Sequence, residues 1–262
     1  MFRKIFYRIL APRHPWRKVS FSELSEMYLT GFLKNFAHGL VGVFIPLYLL
    51  KNGYSFETIF IYYAVLYGFT LPIDYISARL TARFGPKHVM RVGFLFQFVT
   101  ALLLSQIKVL PHAIIVIAFF QACSASLYWL PYHVDFSKIK HNDHSGKELG
   151  WLQLMEKAGG ILGPFLGGLL ATFYGGSSLF YAAAALLAGA VIILMLSNEP
   201  VQTKQKLNFT GLLTFKDLRN TVSYTAFVSE NSLSILLWPT YLAVIVFSAD
   251  SYLKIGSVSS IS

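Results

Sequence analysis

The sequence predicts an all-α fold: a polytopic membrane helix bundle, with a six-helix N-terminal bundle followed by the first one to two helices of a second. Three observations carry that prediction. Of the 262 residues, 55% are hydrophobic and only 13% charged, with a mean hydropathy of +0.55. A soluble domain carries about a quarter charged residues to coat its water-facing surface, and this chain does not. Seven stretches are predominantly apolar over the roughly 20 residues that a helix needs to cross a bilayer. The basic residues fall in blocks that alternate with those stretches, as in the cytoplasmic loops of multi-span proteins.

Residues 1–26 form a basic cytoplasmic segment in which Phe2, Ile5, Phe6 and Ile9 are interspersed among Arg3, Lys4 and Arg8. It lacks the continuous apolar core of a signal peptide and reads as an interfacial amphipathic segment. Six spans follow, making residues 27–198 the first bundle: Met27 to Leu50, Thr58 to Ser77, Val89 to Ile107, Ala113 to Tyr132, Gly150 to Tyr174, and Ser178 to Ser197. The shift to polar composition over residues 199–217 marks a cytoplasmic linker. Residues 218–262 then read as an incomplete second bundle, with a seventh span from Thr221 to Phe247 and an eighth beginning near Leu253.

Orientation follows from lysine and arginine. They cluster before the first span, in the second-to-third loop (Arg79, Arg83, Lys87, Arg91), in the fourth-to-fifth loop (Lys138, Lys140, Lys147) and in the linker; the alternate loops hold Lys51 and Lys108. The N-terminus is therefore expected in the cytoplasm of a plasma-membrane protein, which opposes a heptahelical receptor with its N-terminus outside. The sequon Asn208-Phe209-Thr210 falls on the cytoplasmic side. The formal charge of +10 is spread over short loops rather than clustered on one face, so nucleic acid is not expected as a partner. The single cysteine, Cys123, lies in an apolar run, which excludes a disulfide framework and a cysteine metal site.

Two segments carry specific motifs. In the fifth span Gly150, Gly159, Gly163, Pro164, Gly167 and Gly168 are spaced so that glycines four apart stack on one helix face, letting another backbone approach closely. Pro164 removes one backbone hydrogen bond and permits a bend. In the loop after the second span, Ala78-Arg79-Leu80-Thr81-Ala82-Arg83-Phe84-Gly85-Pro86-Lys87 combines a basic strip with a glycine turn. The glycine-proline pattern resembles the fifth-helix, or antiporter, motif of the major facilitator superfamily. The loop is similar to that family's inner-gate signature, G-x-L-a-D-R-x-G-R-[KR]: Leu80, Arg83, Gly85 and Lys87 match, while Ala78, Ala82 and Pro86 replace a glycine, an aspartate and an arginine. The lost aspartate implies a latch that is weaker or differently built. Gln121 and the small run Ala122 to Ser126 fit the family's fourth helix, but Ala118 stands where proton-coupled members carry an arginine, which leaves a coupling proton or cation open.

Ionisable residues at membrane depth cost on the order of 3 kcal/mol each and are functional hypotheses by default. Lys34 and His38 share a face of the first span, and Gln121, Ser124, Tyr128 and Asp135 form a stripe on the fourth. Glu230 and Asn231 lie midway along the seventh. The Pro-x-Tyr-Leu pattern at Pro46 and Pro239 is a faint repeat that places Asn231 on His38. The resemblance implies that the first, fourth and seventh helices line a solute path, which makes Lys34, His38, Gln121, Ser124, Tyr128, Glu230 and Asn231 its candidates and suggests a Lys34–Glu230 ion pair. Lys34 also reads as snorkelling to the inner headgroups, and His38 as a hydrogen-bonded structural histidine. Asp74, Arg79, Arg83, Gly85 and Lys87 are candidates for the gate loop, with Asp74 pairing with Arg79 or Arg83. The group His141-Asn142-Asp143-His144 lacks metal-site spacing and reads as a solvated loop.

The expected function is secondary transport of a small organic solute across the lipid bilayer by alternating access, with a lean to efflux, and with no cofactor, metal or enzymatic chemistry. The alternative is a non-transporting remnant or partner-binding subunit. Its motive is that the fifth-helix glycine face should pack on an eighth helix of which the chain holds only the start. Extrapolating the repeat, a complete second bundle ends around residue 390, so a chain cut short is expected.

Overall fold

The computed structural model describes residues 23–196, 199, 201, 204, 205, 207, 218–247 and 252–261. The basic N-terminal segment up to residue 22 and residues 208–217 of the linker lie outside it. The described residues form nine α-helices: α1 (Glu23–Gly42), α2 (Ile45–Lys51), α3 (Phe56–Phe84), α4 (Pro86–Ser105), α5 (Ile114–Ile139), α6 (Ser145–Tyr174), α7 (Ser177–Leu194), α8 (Leu218–Tyr241) and α9 (Tyr252–Ile261). A helix thus stands at every expected span. The first is broken between α1 and α2, because Pro46 in the first turn of α2 has no N–H to continue the ladder of α1.

Local chemistry sets the ends. Ser55 caps α3, its Oγ accepting from the Thr58 N–H at 3.2 Å. At 29 residues α3 is about 43 Å long, beyond the ~30 Å of a hydrocarbon core, and its last turns carry Arg79 and Arg83. Gly85 ends it with φ +91°, a backbone region that side chains rarely adopt, and Pro86 opens α4 where the missing N–H costs nothing. After Pro239, α8 passes into a π-helical turn over Leu242–Val246.

Among the described residues five helical segments are long and apolar enough to cross a membrane: Glu23–Lys51, α3, α4, α5 and α7. The 30-residue α6 is diluted by Glu148, Glu156, Lys157 and its glycines, yet packs among them, against α1 on one side. The pairs α4–α5, α3–α5, α4–α7 and α1–α7 complete the bundle. Its core holds Met27, Leu40, Phe44, Tyr62, Phe94 and Phe180, all buried. The outer side of α3 exposes Phe60, Ile61, Leu71 and Ile76, an apolar surface suited to lipid.

Between helices in lipid the drive to associate comes from close packing rather than water exclusion, so glycine placement decides the contacts. A Cβ at Gly163 would lie 2.6 Å from Gly39 Cα, one at Gly159 would lie 2.5 Å from Phe32 O, and one at Gly167 2.7 Å from Leu40 O. All three are backbone atoms of α1. Gly168 turns instead to α9, where its Cβ would meet Tyr252 O at 2.8 Å, and Gly256 of α9 sits against the Pro164 carbonyl. The glycine face therefore divides between α1 and α9. This corrects one expectation: Gly150 is not part of the face, since nothing lies within 4 Å of its Cβ position. Nine residues before Gly159, Gly150 lies about 180° around α6 from it and so faces away from α1.

Candidate functional site

At the end of the bundle where α1 begins, Lys87 in the first turn of α4 is wholly buried. It donates to Glu26 Oε2 at 2.8 Å and pairs with Glu23, both on α1. Asp135 of α5 is also wholly buried, with no hydrogen bond to either carboxylate oxygen among the described residues, and feels the charges of Lys87, Glu199, Glu23 and Glu26.

The linker closes over the same turn. Glu199 Oε2 accepts from the Lys87 backbone N–H at 2.9 Å and lies 3.3 Å from His88 Nδ1. The Gln205 and Lys204 N–H groups donate to the Ala82 and Arg83 carbonyls at 2.9 and 3.3 Å. A Cβ at Gly85 would collide with the Glu199 carboxylate, so the matched glycine provides both the turn and the room. Arg91 Nε reaches the Leu194 carbonyl at the end of α7, 3.0 Å away.

Other gate residues fall elsewhere. Arg79 lies over the Tyr75 ring at 4.4 Å and Arg83 over Phe84 at 5.2 Å, and Asp74 forms an ion pair with neither among the described residues. The reason is helical phase: five residues put Arg79 about 140° around α3 from Asp74, and nine put Arg83 about 180° away. His141, one turn before α6, is held by Glu148, which accepts from its backbone N–H at 2.9 Å and its Nδ1 at 2.6 Å.

At mid-depth the predicted stripe on α5 divides among three neighbours. Gln121 accepts from the Tyr62 hydroxyl on α3, and Ser124 Oγ donates to Gln97 Oε1 on α4 at 3.4 Å. Tyr128 faces α1, where the Lys34 ammonium stands 5.0 Å from its ring centroid. Lys34 is 6% exposed, too deep in the packing to snorkel, and no carboxylate pairs with it among the described residues. The Tyr128 hydroxyl is buried with no hydrogen bond among the described residues. His38, a turn further along α1, packs its ring against Gly42, whose Cβ would lie 3.2 Å from Nε2.

One turn inward, the Tyr132 hydroxyl donates to Glu156 Oε1 at 2.5 Å across α5 and α6. Gly31 of α1 makes room for that hydroxyl, since a Cβ there would lie 2.8 Å from it. The neighbouring Lys157 is exposed. Glu230 is exposed on α8, so the structure does not form the expected Lys34–Glu230 pair; the side chain of Asn231 lies outside the described residues.

At the outer end a cavity of about 420 Å³ opens between α2, α6, α7 and α9, lined by Tyr48, Lys51, Lys108, Thr172, Ser177 and Tyr252 among others. Tyr48 and Ser177 share a 3.0 Å hydrogen bond in its wall, and Lys51 lies 4.3 Å from the Tyr252 ring centroid. No carboxylate is among the lining residues.

Sequence reasoning missed Glu23, Glu26, Glu199, Tyr132 and Glu156 as partners. Glu23 and Glu26 have a usable signal, two acids three apart at the start of an apolar helix and level with the basic loop. Glu199 has none, because its reach to Gly85 depends on how the linker folds back.

The sequence profile of the Major Facilitator Superfamily matches residues 13–261. No curated protein matches in sequence. Among solved structures, that of the nucleoside transporter NupG is similar in fold, with a TM-score of 0.67 at 13% identity, covering 90% of this chain and 63% of that one. The chain therefore spans less than two thirds of that structure's length.

Proposed function

The chain belongs to the major facilitator superfamily, and from that premise we propose that it works as a secondary active transporter. In this reading it carries a small organic solute through the plasma membrane by alternating access, N-terminus in the cytoplasm, with export as the favoured direction. The observation that carries the reading is the division of the α6 glycine face. Gly163 holds α1 inside the first bundle, while Gly168 and Gly256 give a close backbone-to-backbone contact with α9, the second helix after the linker. Rocking of one bundle against the other needs a smooth contact of this kind, with the solute held between them near mid-membrane.

Lys34, His38 and Tyr128 form the first-bundle side of the path, with Glu230 and Asn231 contributed from α8. Lys87, Glu23, Glu26 and Glu199 form the inner latch. The alternative is a non-transporting remnant or partner-binding subunit, which the same test distinguishes.

The test is the purified chain in proteoliposomes on a solid-supported membrane, challenged with a panel of sugars, nucleosides, carboxylates and amines. Accessibility of single cysteines placed at Lys51 and at Arg83 is followed in parallel. Transport predicts a solute-dependent current or flux and reciprocal changes in labelling. A folded chain that moves no solute and labels identically in every condition overturns the reading.

A further inference from the structure

We infer that the solute is a small organic anion, and that Lys34 with the Tyr128 hydroxyl forms the point at which its charged group is held. The inference rests on the transport reading above and narrows it to a substrate class.

The argument starts from an imbalance of donors. An ammonium withdrawn from water costs several kcal/mol unless a counter-charge and hydrogen bonds compensate it. The other buried cation, Lys87, follows that rule with two carboxylates. Lys34 does not: its contact is the face of the Tyr128 ring, which supplies only part of what was lost. Beside it the Tyr128 O–H is a second buried donor without an acceptor. The nearest acid of this layer, Glu156, is occupied by the Tyr132 O–H and acts on the two tyrosines rather than pairing with the lysine. Two donors without acceptors suit a group that only accepts, a carboxylate or a phosphate. An amine or a neutral diol would leave the lysine as uncompensated as before.

A cavity of suitable size lies about 20 Å further along the α1–α2 span by helix rise. Its ~420 Å³ suits an organic solute rather than an inorganic ion, and the Tyr48 and Tyr252 rings offer walls for an apolar body.

Matched pairs that differ in charge and little in shape provide the test: benzoate with benzamide, nicotinate with nicotinamide, and uridine monophosphate with uridine. Binding is read as thermal stabilisation of the detergent-solubilised chain, with Lys34→Met as the variant and Lys138→Met, an exposed inner-end lysine, as control. Lys34→Met removes a buried uncompensated charge, so it retains the fold. The expected result is stabilisation by the anion of at least one pair and not by its neutral partner. Loss of Lys34 should weaken that binding about 10- to 100-fold, while Lys138→Met keeps it. Equal stabilisation by neutral partners, no response to any anion, or an undiminished anion response in Lys34→Met each overturns the inference. Flux of neutral solutes alone overturns it while leaving the transport reading intact; absence of flux in both classes removes the transport reading itself.

Discussion

The α1–α6 contact makes a sharp prediction from two adjacent glycines. Gly160 and Gly163 lie within one turn of α6, but a Cβ at Gly160 meets nothing within 4 Å, whereas one at Gly163 lies 2.6 and 2.7 Å from Gly39 Cα and C. Carbon atoms pack at about 3.5–4.0 Å, so Gly163→Ala must push the two backbones apart by about 1 Å. Backbone cannot rotate away as a side-chain tip can. Overpacking of this kind costs about 1–3 kcal/mol. Both substitutions gain the same ~1 kcal/mol of helix propensity, which cancels in the comparison. Gly160→Ala should therefore exceed Gly163→Ala in melting temperature by about 2–12 °C, at about 2–4 °C per kcal/mol for a chain of this size. The single cysteine provides the assay. Cys123 is buried in a small cluster with Ile73, Val89 and Leu127, away from both glycines, so a thiol-reactive fluorogenic dye reports unfolding in detergent without engineering. A Gly163→Ala melting temperature equal to or above that of Gly160→Ala would refute the backbone contact.

Three further outcomes follow from the buried polar groups. Tyr132→Phe removes the donor to Glu156 and should destabilise the chain by about 1–3 kcal/mol, seen as a lower melting temperature in the same dye assay. Lys87→Met removes the cation that pairs with Glu23 and Glu26 and should cost about 3–5 kcal/mol, read as a lower melting temperature in the same assay. Glu230→Gln should lower solute flux in proteoliposomes with little change in melting temperature, and unchanged flux removes Glu230 from the path.

What was legible in the sequence was set by patterns with a period or a repeat. Apolar length located a helix at every expected span, and glycines four apart marked the face of α6 where backbones approach closely, because both are properties of a single helix; that α1 takes most of that face was not legible. Contacts between helices were less accessible. Gln121, Ser124 and Tyr128 share one stripe on α5, yet three neighbours receive them, and no stripe says which helix stands opposite each point along it. Gly93 shows the same limit: its Cβ would lie 2.8 Å from the Leu127 backbone of α5, a close approach with no second glycine to announce it. Asp74 was assigned to an arginine by proximity in the chain, and helical phase separated them.

The inner latch shows how a departure from a family pattern is resolved in three dimensions. The signature places an aspartate at the position of Ala82, and its loss suggested a weak or altered gate. In the structure the carboxylate comes from elsewhere: Glu199, more than a hundred residues later, accepts from the Lys87 N–H at the start of α4. A carboxylate at a helix N-terminus satisfies an orphan donor and opposes the positive end of the dipole, together worth about 1–2 kcal/mol. This source has a mechanical consequence that an aspartate within the loop would not have. Because Glu199 belongs to the linker, and Gln205 and Lys204 of that linker bind the Ala82 and Arg83 carbonyls, any movement of the segment leading to α8 pulls directly on the α3–α4 turn. Glu199→Ala should then do more than lower stability by about 1–2 kcal/mol. It should uncouple the two, so that a cysteine at Arg83 labels at a rate no longer dependent on solute, whereas a merely structural cap would shift the melting temperature and leave that dependence unchanged.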